Sequence, residues 1–564
     1  MQYRVSPASL EAHDFAVQLT VAQPAAGQIV SLPAWIPGSY LLREFAKQLS
    51  GLRAEQQGRV VVVTQLDKAS WRIDCAAGEP LRLSWQVHAF DNSVRTAWLD
   101  TQRAFFNGTS LFLRVHGQEH APHALELAGF PSAWQVVTSM EAAGSNQWIA
   151  ADYDELVDHP FELGEFWSGS FEASGVPHRI VVAGAWPSFD GARLLGDVQR
   201  ICEAQIAFWG VAPFPRYTFL LNVVEEGGGG LEHRASTALL AARRELPRVG
   251  QPEQADGYVN LLSLFSHEYF HAWNVKRLRP AELARYDYTQ ENYTELLWFF
   301  EGFTSYYDEL FLRRAGLIEA PRYLKLLSKT VSGVLATPGR KRHSLAAASF
   351  EAWTKFYRAD ENTPNLTISY YGKGGLVALA LDLRLRGAGK SLDMLMASLW
   401  HRSGGGPVSE ADILSALGEI GGQAVADELA QWVHGTQDPP LRELFAAAGV
   451  QWRQEGPSLA QRLGLKLSES ALTGVQVKQV LADSAAQAAG LCPGDELIAC
   501  NGWRIRRLDD ALLSLPAGGS ELQFTLARDQ RLLSLSLPLP ALDASRADVQ
   551  LTLAESKSDN APWA

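Results

Sequence analysis

The sequence predicts a multidomain α+β protein, and three observations support this prediction. At 564 residues the chain is too long for one compact core, because single cores stop growing at about 250–300 residues. Short alternating or β-branched runs fill the first part, and helical apolar spacing replaces them from about residue 190 to 450. A second β-rich stretch follows. The predicted segments are a β-rich N-terminal domain (1–168), a mostly helical domain (169–453), a small β-rich domain (459–540) and a partly disordered tail (541–564).

Strands are predicted in the first domain from short runs bounded by turn residues. These runs are Val60–Thr64, Leu81–Val87 and Leu111–Val115. The tail is predicted to be disordered from Ser556 to Ala564 because it is short, polar and terminal.

The middle of the chain begins with one predicted strand, Tyr217–Val224, followed by a glycine-rich turn. Long patterns of helical periodicity come next, and Pro280 and Gly316 are the expected stops of the first two. The predicted helices are 257–277, 293–315, 374–386 and 409–419.

Composition and charge exclude several classes of function. The net charge of −12, without a run of Lys or Arg, argues against nucleic acid and anionic membrane as partners. Four scattered cysteines argue against a thiolate zinc site and against a disulfide framework. Neither a secretory signal nor an apolar run of about 20 residues is visible. The expected location is cytoplasmic, or periplasmic if a leader has been removed.

A metal-binding pattern lies on the first of these helices. His267 and His271 are four residues apart, so both lie on one helix face and can share one metal ion. Glu268, between them, is placed to reach a water molecule as a general base. The alternative is a chance match on a core helix.

Zinc needs a third protein ligand, and three downstream carboxylates compete for this role: Glu291, Glu295 and Glu301. The spacing of Glu291 from His271 resembles thermolysin. Glu301 instead lies in an almost unbroken apolar run, where a carboxylate is costly to bury without a positive partner. We therefore predict Glu301 as the third ligand.

Asp308 lies two turns beyond Glu301 on the same predicted helix face. It is a candidate acceptor for the second ring nitrogen of a ligating histidine. The alternative is a solvated aspartate beside Glu309.

The longer strings around these residues resemble a known family. Ser266–Pro280 and Trp298–Thr304 resemble the gluzincin metallopeptidases, and more narrowly the PDZ-bearing glycyl aminopeptidases. Ala34–Tyr40 and Trp432–Thr436 resemble the same family. The resemblance implies a β-rich N-terminal domain, a thermolysin-like catalytic domain and a C-terminal PDZ domain. It also implies one Zn²⁺ per chain.

The segment Gly229–His233 resembles the Gly-x-Met-Glu-Asn strand of the distant aminopeptidase N family, in which the Glu binds the substrate's α-amino group. Glu232 takes that position, whereas Leu231 and His233 depart from the pattern. Gly229 and Gly230 would let a substrate backbone approach a strand edge, and a carboxylate just beyond them suits a cationic amine. The alternative is a glycine-rich hairpin loop with a solvated Glu232.

Tyr371–Gly374 resembles the Tyr-x-Lys-Gly segment that opens a helix in the same enzymes, in which the Tyr hydroxyl stabilises the tetrahedral oxyanion. Such a donor is typically worth about 3 kcal/mol. The adjacent Tyr370 is the alternative donor. The remaining alternative is that Tyr371 only packs before the helix and has no catalytic role.

Ser484–Ile498 resembles a PDZ domain, with Asn501-Gly502 as a hairpin turn. Leu463–Leu467 would then be the loop that captures the carboxylate of a C-terminal peptide ligand. A rigid structural domain without a ligand is the alternative.

These predictions together describe a zinc-dependent aminopeptidase that acts on peptides with a free N-terminus. A preference for small N-terminal residues such as Gly or Ala is implied only by the resemblance. Two alternatives stay open: a gluzincin endopeptidase, and a non-catalytic PDZ-based peptide-binding protein.

Overall fold

The computed structural model describes residues 1–251, 255–554 and 561–563. The chain forms two compact units. The first unit comprises 1–293 and 400–409, and the second comprises 294–399 and 410–564. No helix among the described residues is long and apolar enough to cross a membrane.

The N-terminal part of the first unit is built from antiparallel sheets around one apolar core. Strand 81–88 illustrates the reason: Leu81, Leu83, Trp85 and Val87 alternate with polar residues and are all buried. The strands are β1 (Gln2–Ser9), β2 (Asp14–Val21), β3 (Ile29–Ser31), β4 (Leu49–Gln56), β5 (Arg59–Val61), β6 (Val63–Gln65), β7 (Ser70–Ile73), β8 (Leu81–His88), β9 (Ala97–Leu99), β10 (Arg103–Phe106), β11 (Arg114–Val115), β12 (His123–Leu127), β13 (Gln135–Val137), β14 (Glu141–Gly144), β15 (Gln147–Ala150) and β16 (Phe161–Gly164), with helices α1 (Gly108–Leu111) and α2 (Tyr153–Val157) and a 3₁₀ turn at Phe45–Gln48.

Three sheets are made from these strands. The largest has eight strands in the order β14-β15-β12-β1-β2-β8-β4-β5, and only the β1–β12 pair in it is parallel. Two four-stranded sheets follow the orders β13-β16-β10-β9 and β11-β3-β7-β6. The predicted strand Leu111–Val115 is wrong for its first three residues, because Leu111 ends α1, and Phe112 and Leu113 form a buried connection.

The rest of the first unit is a five-stranded sheet with helices. Its strand order is β17-β18-β19-β21-β20, in which β18, β19 and β21 are parallel. The strand predicted at Tyr217–Val224 is confirmed as β19, and the strand that the resemblance implies at Gly229–His233 corresponds to β20, whereas β17, β18 and β21 were not predicted. The elements are β17 (Trp167–Ala173), β18 (Val176–Ala183), α3 (Gly191–Trp209), β19 (Tyr217–Val224), β20 (Gly229–Glu232), β21 (Ser236–Ala242) and α4 (Asp256–Phe270), with 3₁₀ turns at Arg243–Glu245 and Ala281–Leu283.

The second unit is mostly helical before residue 450. Its central helix, α10 (Tyr370–Arg386), is buried on nearly every side, which fits the apolar residues around its whole circumference. The helices are α5 (Leu297–Phe300), α6 (Gly302–Arg314), α7 (Ala320–Leu335), α8 (Leu345–Phe350), α9 (Thr363–Leu366), α10 (Tyr370–Arg386), α11 (Leu392–Ser403, which ends in the first unit), α12 (Glu410–Gly421), α13 (Gln423–His434) and α14 (Leu441–Ala447), with a 3₁₀ turn at Pro338–Lys341 and a π-helical turn at Ala352–Phe356.

A small β-rich domain follows and is framed by two paired strands. β22 and β29 pair antiparallel, so the chain enters this domain and leaves it at neighbouring strands. The predicted Asn501-Gly502 turn is confirmed, since both residues have positive φ and join two antiparallel strands. The elements are β22 (Val450–Gln454), α15 (Leu459–Leu463), β23 (Leu465–Ser470), β24 (Gly474–Val480), α16 (Ala485–Ala488), β25 (Glu496–Cys500), β26 (Trp503–Arg504), α17 (Asp510–Leu513), β27 (Glu521–Arg528), β28 (Arg531–Pro538) and β29 (Val549–Leu553), with a 3₁₀ turn at Ala544–Arg546.

The tail is more ordered than the sequence predicts. Strand β29 lies within the predicted 541–564 tail, and Trp563 is buried, with its ring near Tyr323 and Phe445. Arg313 Nε donates to the Trp563 carbonyl at 3.1 Å. The predicted disorder is therefore wrong for 561–563, whereas 555–560 and 564 lie outside the described residues.

Three predicted helices differ from those expected. The helix at 293–315 begins only at Leu297 and is divided at Glu301 into α5 and α6. The helix at 257–277 ends at Phe270, where the chain curls into turns, and Arg277 donates to the carbonyls of Ala272 and Pro213. The helix at 374–386 begins earlier, at Tyr370, because the Ser369 hydroxyl accepts a hydrogen bond from the Gly372 amide and caps it.

Candidate active site

Helix α4 and the residue directly after it carry the two predicted histidine ligands of the first unit: His267 lies in its last turn, and His271 follows Phe270. Leu261, Leu262 and Phe265 are buried on the apolar faces of α4. The Gln205 side chain on α3 donates to both the carbonyl and the hydroxyl of Ser266, each at 2.9 Å. Because packing and hydrogen bonds fix the last turn of α4, the residues that follow Ser266 have a defined direction.

His267 and His271 converge on one point. Their Nε2 atoms are 3.0 Å apart. Two nitrogens bound to one tetrahedral zinc at about 2.0–2.1 Å would be about 3.3 Å apart. His271 Nδ1 lies 2.7 Å from the Asn274 carbonyl, to which it must donate, so its Nε2 carries the lone pair. The donor set therefore fits a zinc ion.

The Glu268 carboxyl lies directly against strand β20. A methyl group placed on Gly230 would lie 2.1 Å from Glu268 Oε1 and 2.3 Å from its Cδ. Only glycine at position 230 lets the carboxyl occupy this place. β20 is an edge strand that pairs only with β21 among the described residues, so its other edge can take an added peptide.

Glu232, at the end of β20, is buried rather than solvated. It is 5% exposed, and its carboxylate, that of Glu268 and a ring nitrogen of His271 lie within 4.8 Å of one another. Gly38 packs against the Glu232 carboxylate, since a methyl group on Gly38 would lie 2.4 Å from Glu232 Oε1. The Ala34–Tyr40 segment of the N-terminal domain therefore lines this carboxylate.

A buried ionic cluster lies just beyond Glu232. Asp158 accepts hydrogen bonds from His233 Nδ1 at 3.0 Å, Arg234 Nε at 3.0 Å and Lys276 Nζ at 2.8 Å. Burial raises the pKa of the Asp158 carboxyl, but Lys276, His233 and Arg234 together outweigh it and hold that pKa well below its usual range. Asp158 thus ties the N-terminal domain to β20 and to the turn after α4.

Glu301 occupies the junction of α5 and α6 in the second unit. It is 2% exposed, whereas Glu295 is exposed, and Glu291 accepts an exposed hydrogen bond from Tyr293. The burial expected of Glu301 is confirmed. Next to it, Gly302 touches α10 at Gly374: a methyl group on Gly302 would lie 2.6 Å from the Gly374 Cα.

This close helix crossing brings Tyr371 near Glu301. Burial, and then the charges of Glu301 and Tyr357, raise the pKa of Tyr371 well above its usual value, so its phenol keeps a proton to donate. Tyr370 and Tyr371 both lie in the first turn of α10, and not before the helix. Asp308 is 8% exposed on α6, so it is not solvated.

Three further residues of the first unit escaped the sequence analysis. They are Asn274, whose carbonyl orients His271; Gly38, which faces Glu232; and Arg95, whose Nη2 donates to the Gly230 carbonyl at 3.4 Å. Gly38 and Asn274 lie in the strings Ala34–Tyr40 and Ser266–Pro280 that resemble the family, but the contacts of all three residues depend on the fold.

Comparisons with known proteins cover most of the chain. Family models match at 2–165 (Peptidase M61 N-terminal domain), 260–377 (M61 glycyl aminopeptidase) and 451–526 (PDZ domain). A crystal structure of an aminopeptidase N family protein from Idiomarina loihiensis is 37% identical, with a TM-score of 0.94 over 100% of this chain and 99% of that chain. An M1 zinc metallopeptidase from Deinococcus radiodurans is 16% identical, with a TM-score of 0.49 over 78% of this chain and 95% of that chain. No curated protein matches the chain.

Proposed function

The chain belongs to the M61 glycyl aminopeptidase family of zinc metallopeptidases, and we propose that it removes single N-terminal residues from peptides at the residues described above. The observation that carries the proposal is the buried Glu232 carboxylate beside Glu268 and His271. The proposed substrates are peptides with a small N-terminal residue such as Gly or Ala.

His267, His271 and Glu301 are the proposed ligands of one zinc ion per chain. The convergent Nε2 atoms of the histidines support this set, and so does the burial of Glu301 in an apolar run. When bound, zinc supplies Lewis-acid polarisation of the scissile carbonyl and lowers the pKa of water. Asp308 is the proposed hydrogen-bond acceptor that orients a ligating histidine.

Glu268 is the proposed general base. Its carboxylate accepts a proton from the attacking water and returns that proton to the leaving amine. The phenol of Tyr371 donates a hydrogen bond to the oxyanion that develops during the attack. Its protonated state and its position near Glu301 support this role.

Glu232 is the proposed anchor of the substrate's α-ammonium group. Glu232 is buried beside the proposed base, and its carboxylate can accept charge-assisted hydrogen bonds from the ammonium group. Gly229 and Gly230 leave the β20 edge open to the substrate backbone. Because the anchor is so near Glu268, only the first peptide bond reaches the base, which disfavours the endopeptidase alternative.

The PDZ domain is proposed as a second peptide-binding site, for a C-terminal peptide. The proposed loop Leu463–Leu467 spans the end of α15 and the start of β23. The Gly464 amide already donates to the Ala460 carbonyl at 2.9 Å, so other amides of this loop must capture the carboxylate. A purely binding function for the whole chain is disfavoured, because the complete set of candidate catalytic residues is present.

The test measures metal content and turnover on the same purified protein. We expect about one zinc per chain, loss of peptidase activity on chelation, and recovery on zinc addition. Glu268→Gln keeps the shape of the side chain but removes the base, so we expect unchanged zinc content and a rate lower by roughly 10²–10⁴-fold. The matched control is Glu295→Gln, at an exposed glutamate. Full activity without any transition metal would overturn the proposal.

A further inference from the structure

Arg95 is a cation on the edge of the proposed peptide-binding strand. Its Nη2 donates to the Gly230 carbonyl, and a methyl group on Gly229 would lie 3.7 Å from Arg95 Nη1 and 3.8 Å from Nη2. A guanidinium has five N–H donors, and this long 3.4 Å hydrogen bond is the one that its side chain makes among the described residues. Within the same residues it forms no ion pair.

Hydrogen bonds from Asn107 fix the backbone directly before and directly after Arg95. The Asn107 amide donates to the Val94 carbonyl at 2.8 Å and to the Thr96 carbonyl at 3.2 Å, and Val94 is buried. The guanidinium therefore starts from a backbone that is already fixed. A ligand that pairs with it loses little conformational entropy in the loop.

The direction of the substrate follows from the two carboxylates. The proposed ammonium site is Glu232, and the proposed base Glu268 lies against Gly230, which precedes Glu232 in β20. The peptide must therefore run from Glu232 towards Gly229, antiparallel to β20. Gly229 is three residues from Glu232, or about 10 Å at about 3.4 Å per residue. The second and third residues of an extended peptide cover this distance.

We propose that Arg95 binds a carboxylate carried by the second or third residue of the substrate. The C-terminal carboxylate of a dipeptide or tripeptide supplies this group, and so does an acidic side chain at the second residue. A guanidinium pairs with carboxylates through parallel N–H donors, which gives both energy and geometry. This inference rests on the proposed aminopeptidase function and specifies its substrate class as short or acidic peptides.

The experiment measures binding without turnover, in the zinc-loaded Glu268→Gln protein. The probes are trialanine as the free acid, its C-terminal amide, Ala-Asp-Ala amide and a six-residue free acid. We expect trialanine acid or Ala-Asp-Ala amide to bind about tenfold or more tightly than trialanine amide. Comparison of trialanine acid with Ala-Asp-Ala amide identifies whether the bound carboxylate is the C-terminus or the acidic side chain. The six-residue acid should show no advantage over its own amide, because its carboxylate lies beyond Arg95.

The carboxylate preference should disappear in Arg95→Gln and be weaker in Arg95→Lys, which keeps the charge but loses the planar fork. Arg244→Gln is the matched control: it removes the same charge from a surface arginine paired with Glu226 and should keep the preference. Thermal melting of each variant checks that it folds. Equal affinities for acid and amide, or a preference that survives Arg95→Gln, would overturn the inference. The proposed function fails separately, if wild-type protein does not hydrolyse these peptides.

Discussion

Gly230→Ala tests the contact between the substrate strand and the proposed base. The added methyl carbon would lie 2.1 Å from Glu268 Oε1, whereas non-bonded heavy atoms approach to about 3.5 Å. The carboxyl must therefore move by about 1.4 Å. A misplacement of about 1 Å typically costs about a hundredfold in rate, or about 2.7 kcal/mol of transition-state stabilisation.

The fold itself should survive this substitution. Gly230 does not have a positive φ, and the nearest atoms are the far end of a flexible side chain, which can swing away. The matched control is Gly228→Ala in the same glycine run, where an added methyl group would meet nothing within 4 Å. We expect both variants to melt near the wild-type temperature, with kcat about a hundredfold lower only in Gly230→Ala. Wild-type turnover in Gly230→Ala would refute the assigned position of the base.

Three other predictions test separate parts of the account. Glu301→Ala should weaken zinc binding by at least about 10–100-fold, whereas Glu291→Ala should not, as measured by competition with a chelator; the reverse result would favour the thermolysin-like spacing. Tyr371→Phe should lower kcat by about 10²–10³-fold with little change in melting temperature, and a comparable loss in Tyr370→Phe instead would make Tyr370 the oxyanion donor. Asp158→Asn should lower the free energy of unfolding by about 3–5 kcal/mol in denaturant titration, because it leaves buried cations unpaired; an unchanged midpoint would contradict the role of this cluster.

Local patterns in the sequence were enough to predict several features of the structure. The family, the α+β class with its three kinds of domain, and the aminopeptidase activity are confirmed. The burial of Glu301 followed from its apolar neighbours, and the turn followed from the Asn501-Gly502 pair, whose residue types adopt the positive φ that is observed. Each of these depends on nearby residues, which a sequence displays directly.

Features that depend on distant contacts were missed. Strand β21 is buried along nearly its whole length, so it shows no alternation of apolar and polar residues, although it pairs with β20 at the sheet edge beside α4. Helix α4 ends at Phe270, and in the turns that follow Arg277 donates to the carbonyl of Pro213, which is distant in the sequence. Strand β29 exists because it pairs with β22, about 100 residues earlier in the chain.

The roles of the individual site residues stay predictions, as do the domain boundaries at 168, 453, 459 and 540 and the cytoplasmic location. The position of Gly38 against Glu232 shows why sequence alone could not complete the site. These two residues lie in different domains by the predicted boundaries, and only the fold brings them into contact.

The most direct test of the central claim is the ratio of catalytic efficiencies on free and N-acetylated forms of one short alanine peptide. Acetylation removes the ammonium charge and with it the charge-assisted hydrogen bonds that the ammonium group would donate to Glu232. Charged hydrogen bonds are worth roughly 1.5–3 kcal/mol, so wild type should prefer the free peptide by at least about tenfold. Glu232→Ala should narrow that ratio, mainly by slowing hydrolysis of the free peptide. Equal hydrolysis of both peptides by wild type, or a ratio that Glu232→Ala leaves unchanged, would contradict the anchor and make the endopeptidase the better account.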